Sequence, residues 1–501
     1  MATETVRSGR EGAVETRSPD EFADLLKQSF KPRSERAATE VENAVNTLVT
    51  QALSDTTLIK EDVLDTIEEM ISRIDQKLTA QMNEILHAEE FQQIESAWRG
   101  LHHLVFNSET DAQLKIRIMN VSKGELYRNL RLYPGARWDQ SPLFKRIYEA
   151  EFGQLGGEPY GCLVGDYYFS HLPTDVQLLR DLSKVAAAAH APFFAGADPT
   201  LMGMDSWTEL MNPRDLSKLF DTPDYAAWKG LRDAVDSRYV GLCMPRVLAR
   251  LPYGAKSEPV EEFAFEEETD GHKGEKYGWM NAAYAMAVNV NRAFKEYGWT
   301  TRIRGVQSGG EVLNLPTHTF PTDDGGVDLK CPTEIAISDR REHELAKSGL
   351  IPIIHRKNTD KAAFIGAQSV YKPGKYNDDE KGRLAEASDN LSSRLPYMFA
   401  VCRFAHYLKC MVRDKIGSTK EKEQLQRWLQ EWILQYVDGA PEISSEETKA
   451  RKPLAAAKVE IFANEENPGY YNARFYLRPH YQLEGMDIGL SLVSRLPAGV
   501  A

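Results

Sequence analysis

Apolar residues recur along this chain with two different periods, and the change from one to the other divides it. Val63, Ile67, Met70, Ile71, Ile74, Leu78, Met82 and Ile85 follow one another at three- and four-residue steps, the spacing of an amphipathic helix. The stretch from His87 to Phe106 continues with Phe91, Ile94, Trp98, Leu101 and Val105. Two long helices so close in sequence predict an antiparallel pair or a small bundle. From about Gln113 the pattern becomes strand–helix alternation. "AQLKIRIMNV" reads as strand, "KGELYRNLRLY" and "PLFKRIYEAEFG" as helix, "YGCLVGDYYF" as a buried strand, and "DVQLLRDLSKVAAAAH" as helix. "APFFAGA" and "YVGLCMPRVLARL" follow as strand, with "TPDYAAWKGLRDAVD" helical between them. Such alternation predicts layered α/β with a partly parallel sheet.

Tyr253 to Lys276 reads as an acidic excursion, after which a helix resumes in "GWMNAAYAMAVNVNRAFKEYG". Strand-like text follows at Arg302 to Val306 and at Leu350 to His355. A long helix runs from Leu391 to Gly417, with Phe399, Cys402, Ala405 and Leu408 as its stripe. The helix from Lys420 to Val437 sets Leu425, Trp428, Leu429, Trp432 and Ile433 on one face.

Both ends of the chain carry elements without an obvious place. Near the start, Ser18 can cap a helix, Pro19 suits its first position, and Glu21 completes a capping box. Phe22, Leu25, Leu26 and Phe30 share one face of this helix, and Pro32 ends it. It either docks on its own protein or serves another chain as a recognition helix. Residues 1–17 are charged, without periodicity, and read as mobile. At the other end, Val459 and Ile461, then Phe475 and Leu477, then Ile488, Leu490 and Leu492 alternate with polar residues as strands do. The polar stretch from Asp438 to Pro453 reads as a linker to them. The sequence alone does not say which sheet they join.

Composition narrows the class. Apolar residues make up 42% and charged residues 27%, so a large soluble core is expected, and 501 residues suggest several domains. A net charge of −13, from 61 basic and 74 acidic side chains, disfavours a nucleic-acid surface. Five scattered cysteines without a CxxC point to reduced thiols. The polar N-terminus and the short weakly polar run from Val185 to Ala197 predict a cytoplasmic protein without membrane insertion.

Catalytic grammar is sparse. The chain carries no GxxxxGK[ST], no GxSxG and no HExxH, and no GxGxxG after a strand. His102 and His103 are neighbours on a helix, about 100° apart, and cannot share a metal by helical spacing. His318 near Asp323 and Asp324 reads as a loop. "QSGGEV" (Gln307 to Val312) reads as a turn after a strand, with an anion nest as the alternative. No catalytic, cofactor or metal residue is expected. A large core, terminal strands without a sheet and a helix without a groove describe an assembly subunit.

Several long blocks carry a family resemblance. "HAEEFQQIESAWRGLHHLV", "GCLVGDYYFSH", "HAPFFAGADPTLMGMDSWTEL", "YGWMNAAYAMAVNVNRAF" and "LSSRLPYMFAVCRFAHYLKCMVRDKIGS" resemble the large subunit of the type VI secretion contractile sheath, the TssC/VipB family. The likeness runs from about Ser18 to Pro497. It implies a mixed α/β (α+β) fold with core domains like those of phage tail sheaths, and a structural protein, not an enzyme. It implies a small sheath subunit of the TssB/VipA type as partner, other copies in a helical sheath, an Hcp-type inner tube, baseplate components and a Clp-type AAA+ ATPase that dismantles the contracted sheath. The expected organisation is a mobile 1–17, a helical region at 18–108 packing the small subunit, a core at 109–437, a linker at 438–453 and a linking arm at 454–501. Phe22, Leu25, Leu26 and Phe30 fall where the family's ATPase-recognition helix lies. Phe475, Leu477, Ile488, Leu490 and Leu492 fall on the arms that join neighbouring subunits. Arg413, Lys415, Lys420 and Lys422 are the candidate contacts to the inner tube. A phage-tail-like sheath and an unfamiliar α/β enzyme are the alternative readings.

Overall fold

The computed structural model describes residues 63–212, 216, 218–415, 422–463 and 471–482, with isolated positions 39, 43 and 47. The helix expected around Phe22 to Phe30 and the strand around Ile488 to Leu492 lie outside the described residues. The chain divides into two compact units, residues 1–92 with 251–277, and residues 93–250 with 278–501.

In the first unit, helix α1 (Val63–Leu86) follows the predicted stripe. It buries Met70, Asn83 and Leu86. The acidic excursion has neither helix nor named strand, and the amide of Asn83 ties it to α1. Asn83 donates to the Glu266 carbonyl at 3.2 Å and accepts from the Glu268 N–H at 2.8 Å. A buried asparagine thereby satisfies backbone groups that no sheet ladder serves.

In the second unit, which holds all but the first four residues of helix α2 (Glu89–Phe106), α3 (Lys123–Arg131) starts with a capping box of Ser122 and Glu125. A short α4 (Pro142–Phe144) runs on into a π-helical turn, Lys145–Phe152. The strands are β1 (Leu163–Phe169), β2 (Phe193–Ala197), β3 (Val240–Met244), β4 (Val247–Leu248), β5 (Trp279–Met280), β6 (Glu311–Val312), β7 (Thr319–Pro321), β8 (Val327–Leu329), β9 (Leu350–His355), β10 (Ala362–Phe364), β11 (Leu454–Ala463) and β12 (Tyr471–Pro479). The remaining helices are α5 (Pro173–Ala189), α6 (Ala226–Arg232), α7 (Ala282–Tyr297), α8 (Asp339–Lys347), α9 (Glu380–Ser392), α10 (Leu395–Asp414), α11 (Lys422–Leu434) and α12 (Glu446–Arg451).

The main sheet has the order β1-β2-β3-β9-β10-β6, parallel from β1 through β9 and antiparallel beyond. Parallel strands need cover on both faces. Phe193, Leu242 and Leu350 pack into one cluster with Leu179, Trp207 and Trp228. Their neighbours Phe194, Cys243 and Ile351 pack into the other, with Met286, Phe364 and Phe399.

The structure departs from the expected elements at three places. "AQLKIRIMNV" forms no strand and joins no sheet among the described residues. Arg302 to Val306 forms a turn. Gly305 takes a positive φ of 74° there, and its N–H donates to the Phe364 carbonyl at 2.7 Å. The long helix from Leu391 is two helices. Pro396 in the first turn of α10 disfavours helix just before it, and Ser393 instead accepts from the Ser369 N–H at 2.8 Å.

Candidate assembly surfaces

The C-terminal strands find their first sheet within the chain. β11 and β12 pair antiparallel, with Phe475 opposite Val459 and Leu477 opposite Ala457. Because strand side chains alternate, Val459, Ile461, Phe475 and Leu477 all face inward. They pack on Phe404 and Leu408 of α10 and on Leu429 and Ile433 of α11. Trp299 stacks on Phe404 at 4.3 Å and meets Tyr436 edge-on at 5.1 Å, closing an aromatic layer beneath the hairpin.

The two edges of this hairpin differ. Gln430 of α11 accepts from the Val459 N–H at 2.8 Å and donates to the Ala457 carbonyl at 3.1 Å. Gln426 accepts from the Ile461 N–H at 3.4 Å. Side-chain amides thus stand where a neighbouring strand would be, and β11 is closed to further pairing. Among the described residues nothing pairs with the outer edge of β12. Arg474, Tyr476 and Arg478 are exposed on its outer face.

The chain leaves β12 from a fixed point. The Gln482 N–H donates to the Tyr397 hydroxyl at 2.9 Å, its amide nitrogen donates to the Thr301 carbonyl at 2.9 Å, and its amide oxygen accepts from Arg304 Nε at 2.7 Å. Residues 438–453, read from sequence as a linker, carry helix α12. They return to where they left, Val437 bridging Leu454. The Asp438 carboxylate accepts from Ala440 N and from Ser444 Oγ, bonds that lower its pKa.

The candidate tube contacts do not gather into one patch. Arg413 is half-buried and turned inward, donating to the Phe152 carbonyl at 3.4 Å. Lys415 is exposed and lies over the Trp428 ring at 5.4 Å. Lys422 opens α11, half-buried, and Lys420 lies outside the described residues.

Two helices carry exposed apolar stripes among the described residues. On α1, Ile71, Ile74, Leu78 and Ile85 are exposed, and Ile71, Leu78 and Ile85 stand seven residues apart, as in a coiled-coil seam. On α2, Ile94, Trp98 and Phe106 are exposed, Trp98 by 69%. Sequence periodicity finds these stripes but cannot say that they stay uncovered. Beside Trp98 on the same helix, Glu95 holds Arg250, which is 6% exposed, with Nε–Oε1 at 2.5 Å and Nη2–Oε2 at 3.2 Å.

Burial shifts several titratable groups inside the core. Burial, with His102 beside it, lowers the His103 pKa to about 4. Burial does the same to His406, whose Nε2 lies 2.8 Å from the Ala189 carbonyl. His190 is also lowered by burial, and its ring lies 6.2 Å from that of His406. Burial pushes the Cys402 thiol up to about 12. Among the described residues no group of His, Cys, Asp and Glu is placed to hold a metal ion, and no helix is long and apolar enough to cross a membrane.

Two family models match the chain. One, described as EvpB/VC_A0108, tail sheath N-terminal domain, covers residues 68–371. The other, the tail sheath gpW/gp25-like domain of the same family, covers residues 384–496. The chain belongs to this tail sheath family. It is also similar to the type VI secretion system sheath protein TssC1 of Pseudomonas aeruginosa PAO1, 63% identical over 498 residues, 99% of each chain. The resemblance to the large sheath subunit of the TssC/VipB family therefore stands. Among solved structures, a chain of the anti-feeding prophage baseplate, determined by cryo-EM, aligns over 77% of this chain and 84% of its own at 11% identity, with a TM-score of 0.36.

The seam between the two matched sheath regions is locked. Asp389, 6% exposed, accepts from Arg238 Nη2 at 2.5 Å, from the Tyr371 hydroxyl at 3.0 Å and from the Gly374 N–H at 2.7 Å. Arg238 also lies over the Tyr371 ring at 4.4 Å. One carboxylate joins the end of the first region to the start of the second.

Proposed function

We propose that the chain is the large structural subunit of a contractile type VI secretion sheath in the cytoplasm. It pairs with a small sheath subunit of the TssB/VipA type, and the pairs stack helically around an Hcp-type inner tube on a baseplate. Contraction drives tube and spike outward. A Clp-type AAA+ ATPase then recycles the spent sheath through the helix bearing Phe22, Leu25, Leu26 and Phe30.

The observation that carries this reading is the asymmetric C-terminal hairpin. Its inner face is seated in the chain's own core, one edge is closed by Gln426 and Gln430, and the β12 edge is unpaired among the described residues. Beyond Gln482 the sequence carries a further strand pattern at Ile488, Leu490 and Leu492. Strand addition at β12 joins neighbours through main-chain hydrogen bonds. Such a joint persists while core domains rotate and slide, as a contracting tube requires. The bare stripes of α1 and α2 suit the small subunit. The family membership supports the sheath role, and the inner-tube contact rests on Lys415 and Lys422 more than on Arg413.

Co-expression with the small-subunit gene, read by negative-stain microscopy, tests the reading. Hollow tubes form only when both chains are present. Deleting Met486 to Leu496 leaves the heterodimer and abolishes stable tubes. A monodisperse monomer indifferent to the second chain overturns the proposal. Leu25→Asp with Phe30→Asp abolishes ATPase binding to contracted sheath, and unchanged binding refutes the recognition role.

A further inference from the structure

One of the five scattered cysteines has a base beside it. Cys331 follows β8, and the chain is fixed on both sides of it. The Lys330 N–H donates to the His318 carbonyl at 2.8 Å, and the Pro332 carbonyl accepts from the Leu248 N–H at 2.8 Å. His355 is the last residue of β9 and stands opposite Ala362 of β10. Cys331 and His355 share a hydrogen bond. His355 Nε2 lies 2.8 Å from the Thr359 carbonyl. A carbonyl only accepts, so Nε2 carries a hydrogen and Nδ1 is left to take the thiol's proton. Thr333 Oγ1 is 3.1 Å from Cys331 Sγ and 2.8 Å from the Ile335 carbonyl. Its hydroxyl accepts from the thiol, or turns its one hydrogen to the thiolate.

We infer that Cys331 and His355 form a nucleophilic thiol–imidazole pair, a modification site for the disulfides of small anionic thiols. The inference is independent of the sheath reading. Burial pushes the Cys162 and Cys402 thiols up to about 12 and raises Cys243 as well. At Cys331 burial also acts upward, but the hydrogen bonds from His355 and Thr333 outweigh it and lower the thiol's pKa. Burial acts downward on His355, and the bonds to Cys331 and to the Thr359 carbonyl outweigh it and raise the imidazole. Cys331 and His355 are the charged groups that act on each other, and the opposite shifts favour thiolate beside imidazolium. Cys331 is half-buried, which admits a small reagent. Arg356 and Lys357 are exposed directly after His355 in the chain, against the single carboxylate of Asp360, and suit a reagent that carries carboxylates. The thiolate attacks one sulfur of the disulfide. A bond forms between Cys331 Sγ and that sulfur, the old S–S bond breaks, and its electron pair leaves on the second sulfur. The departing thiolate takes the proton that His355 held, so Cys331 is oxidised and the reagent yields one free thiol. Cys410 is the rival, half-buried and accepting from Arg413 Nη2 at 3.6 Å.

The full-length chain, incubated with oxidised glutathione and read by peptide mass spectrometry, tests the pair. At about pH 7 Cys331 forms the mixed disulfide about tenfold faster than Cys410, and dithiothreitol reverses it. The rate at Cys331 follows a pH profile whose midpoint lies below the ~8.5 of a free thiol. His355→Gln keeps a polar side chain and removes the base. It slows Cys331 about tenfold and moves that midpoint up, while an unchanged urea midpoint shows that the variant is folded. A rate at Cys331 no faster than at Cys410 overturns the inference, as does an adduct that forms only in urea. His355→Gln with the parent's rate and profile overturns it too. The rate comparison and the profile are measured on the parent chain, so a variant that fails to fold leaves both able to refute the pair.

Discussion

Gln430 decides which edge of the C-terminal hairpin is available, and Gln430→Leu tests that role. The substitution keeps side-chain bulk and removes two hydrogen bonds, to Val459 N–H at 2.8 Å and Ala457 C=O at 3.1 Å. A buried polar group left without a partner costs about 1–3 kcal/mol. Val459 is buried but Ala457 is half-buried, so water replaces part of the loss and the lower figure applies to each. The pair then costs about 2 kcal/mol, which at 1.4 kcal/mol per tenfold is a roughly 30-fold rise in hairpin opening. Exchange of the amides bonded across β11 and β12 reads this directly, with β2 and β3 amides as the internal reference. Gln426→Leu, which loses one longer bond, gives a smaller rise. Exchange across β11 and β12 within about threefold of the parent refutes the argument, as does an equal rise in β2 and β3, which reports global destabilisation. The opened β11 edge is also a second site for strand pairing, so irregular aggregates accompany tube formation.

Three further outcomes follow from buried groups. Glu95→Ala removes the carboxylate bonded twice by the buried Arg250 guanidinium and lowers stability by about 1.5–3 kcal/mol, read by urea denaturation, whereas Glu261→Ala on the exposed excursion changes nothing measurable. His103 and His406 titrate near 4 in the fold against 6.5 when free. The unfolded chain therefore binds more protons between those values, and stability falls as pH drops from 6.5 to 4, by up to about 3 kcal/mol for each histidine. His406→Asn flattens that part of the urea-midpoint profile, and an unchanged profile refutes the assignment. Asp389→Ala removes the acceptor shared by Arg238, Tyr371 and Gly374, and limited proteolysis then cuts first between Tyr371 and Asp389.

Much of the fold is legible in the sequence because it rests on local periodicity. The stripes of α1, α2 and α11 and the alternation of β11 and β12 follow from which residues fall on one face, and no distant residue is needed to find them. "AQLKIRIMNV" shows where this fails. Its alternation is real, and its side chains sit as a strand's would, but a strand becomes a sheet only when another backbone lies beside it. The long helix expected from Leu391 failed for a different reason. Its apolar stripe continues across Pro396, while the backbone before that proline turns away to meet Ser369.

The candidate surfaces divide in the same way. Sequence placed Phe475 and Leu477 on a strand and offered Arg413, Lys415, Lys420 and Lys422 as one basic group. The structure draws Arg413 into contact with Phe152, a residue more than two hundred positions earlier, and leaves Lys415 outside. The sequence by itself determined the class of this protein, its large mixed core and the strands at its end, because patterning and family blocks are written locally. Only the tertiary structure decided which strand edges are closed and which, among the described residues, stay unpaired. Closure depends on single side chains of another element, Gln426 and Gln430 of α11 set against β11, and a linear pattern carries no record of that approach.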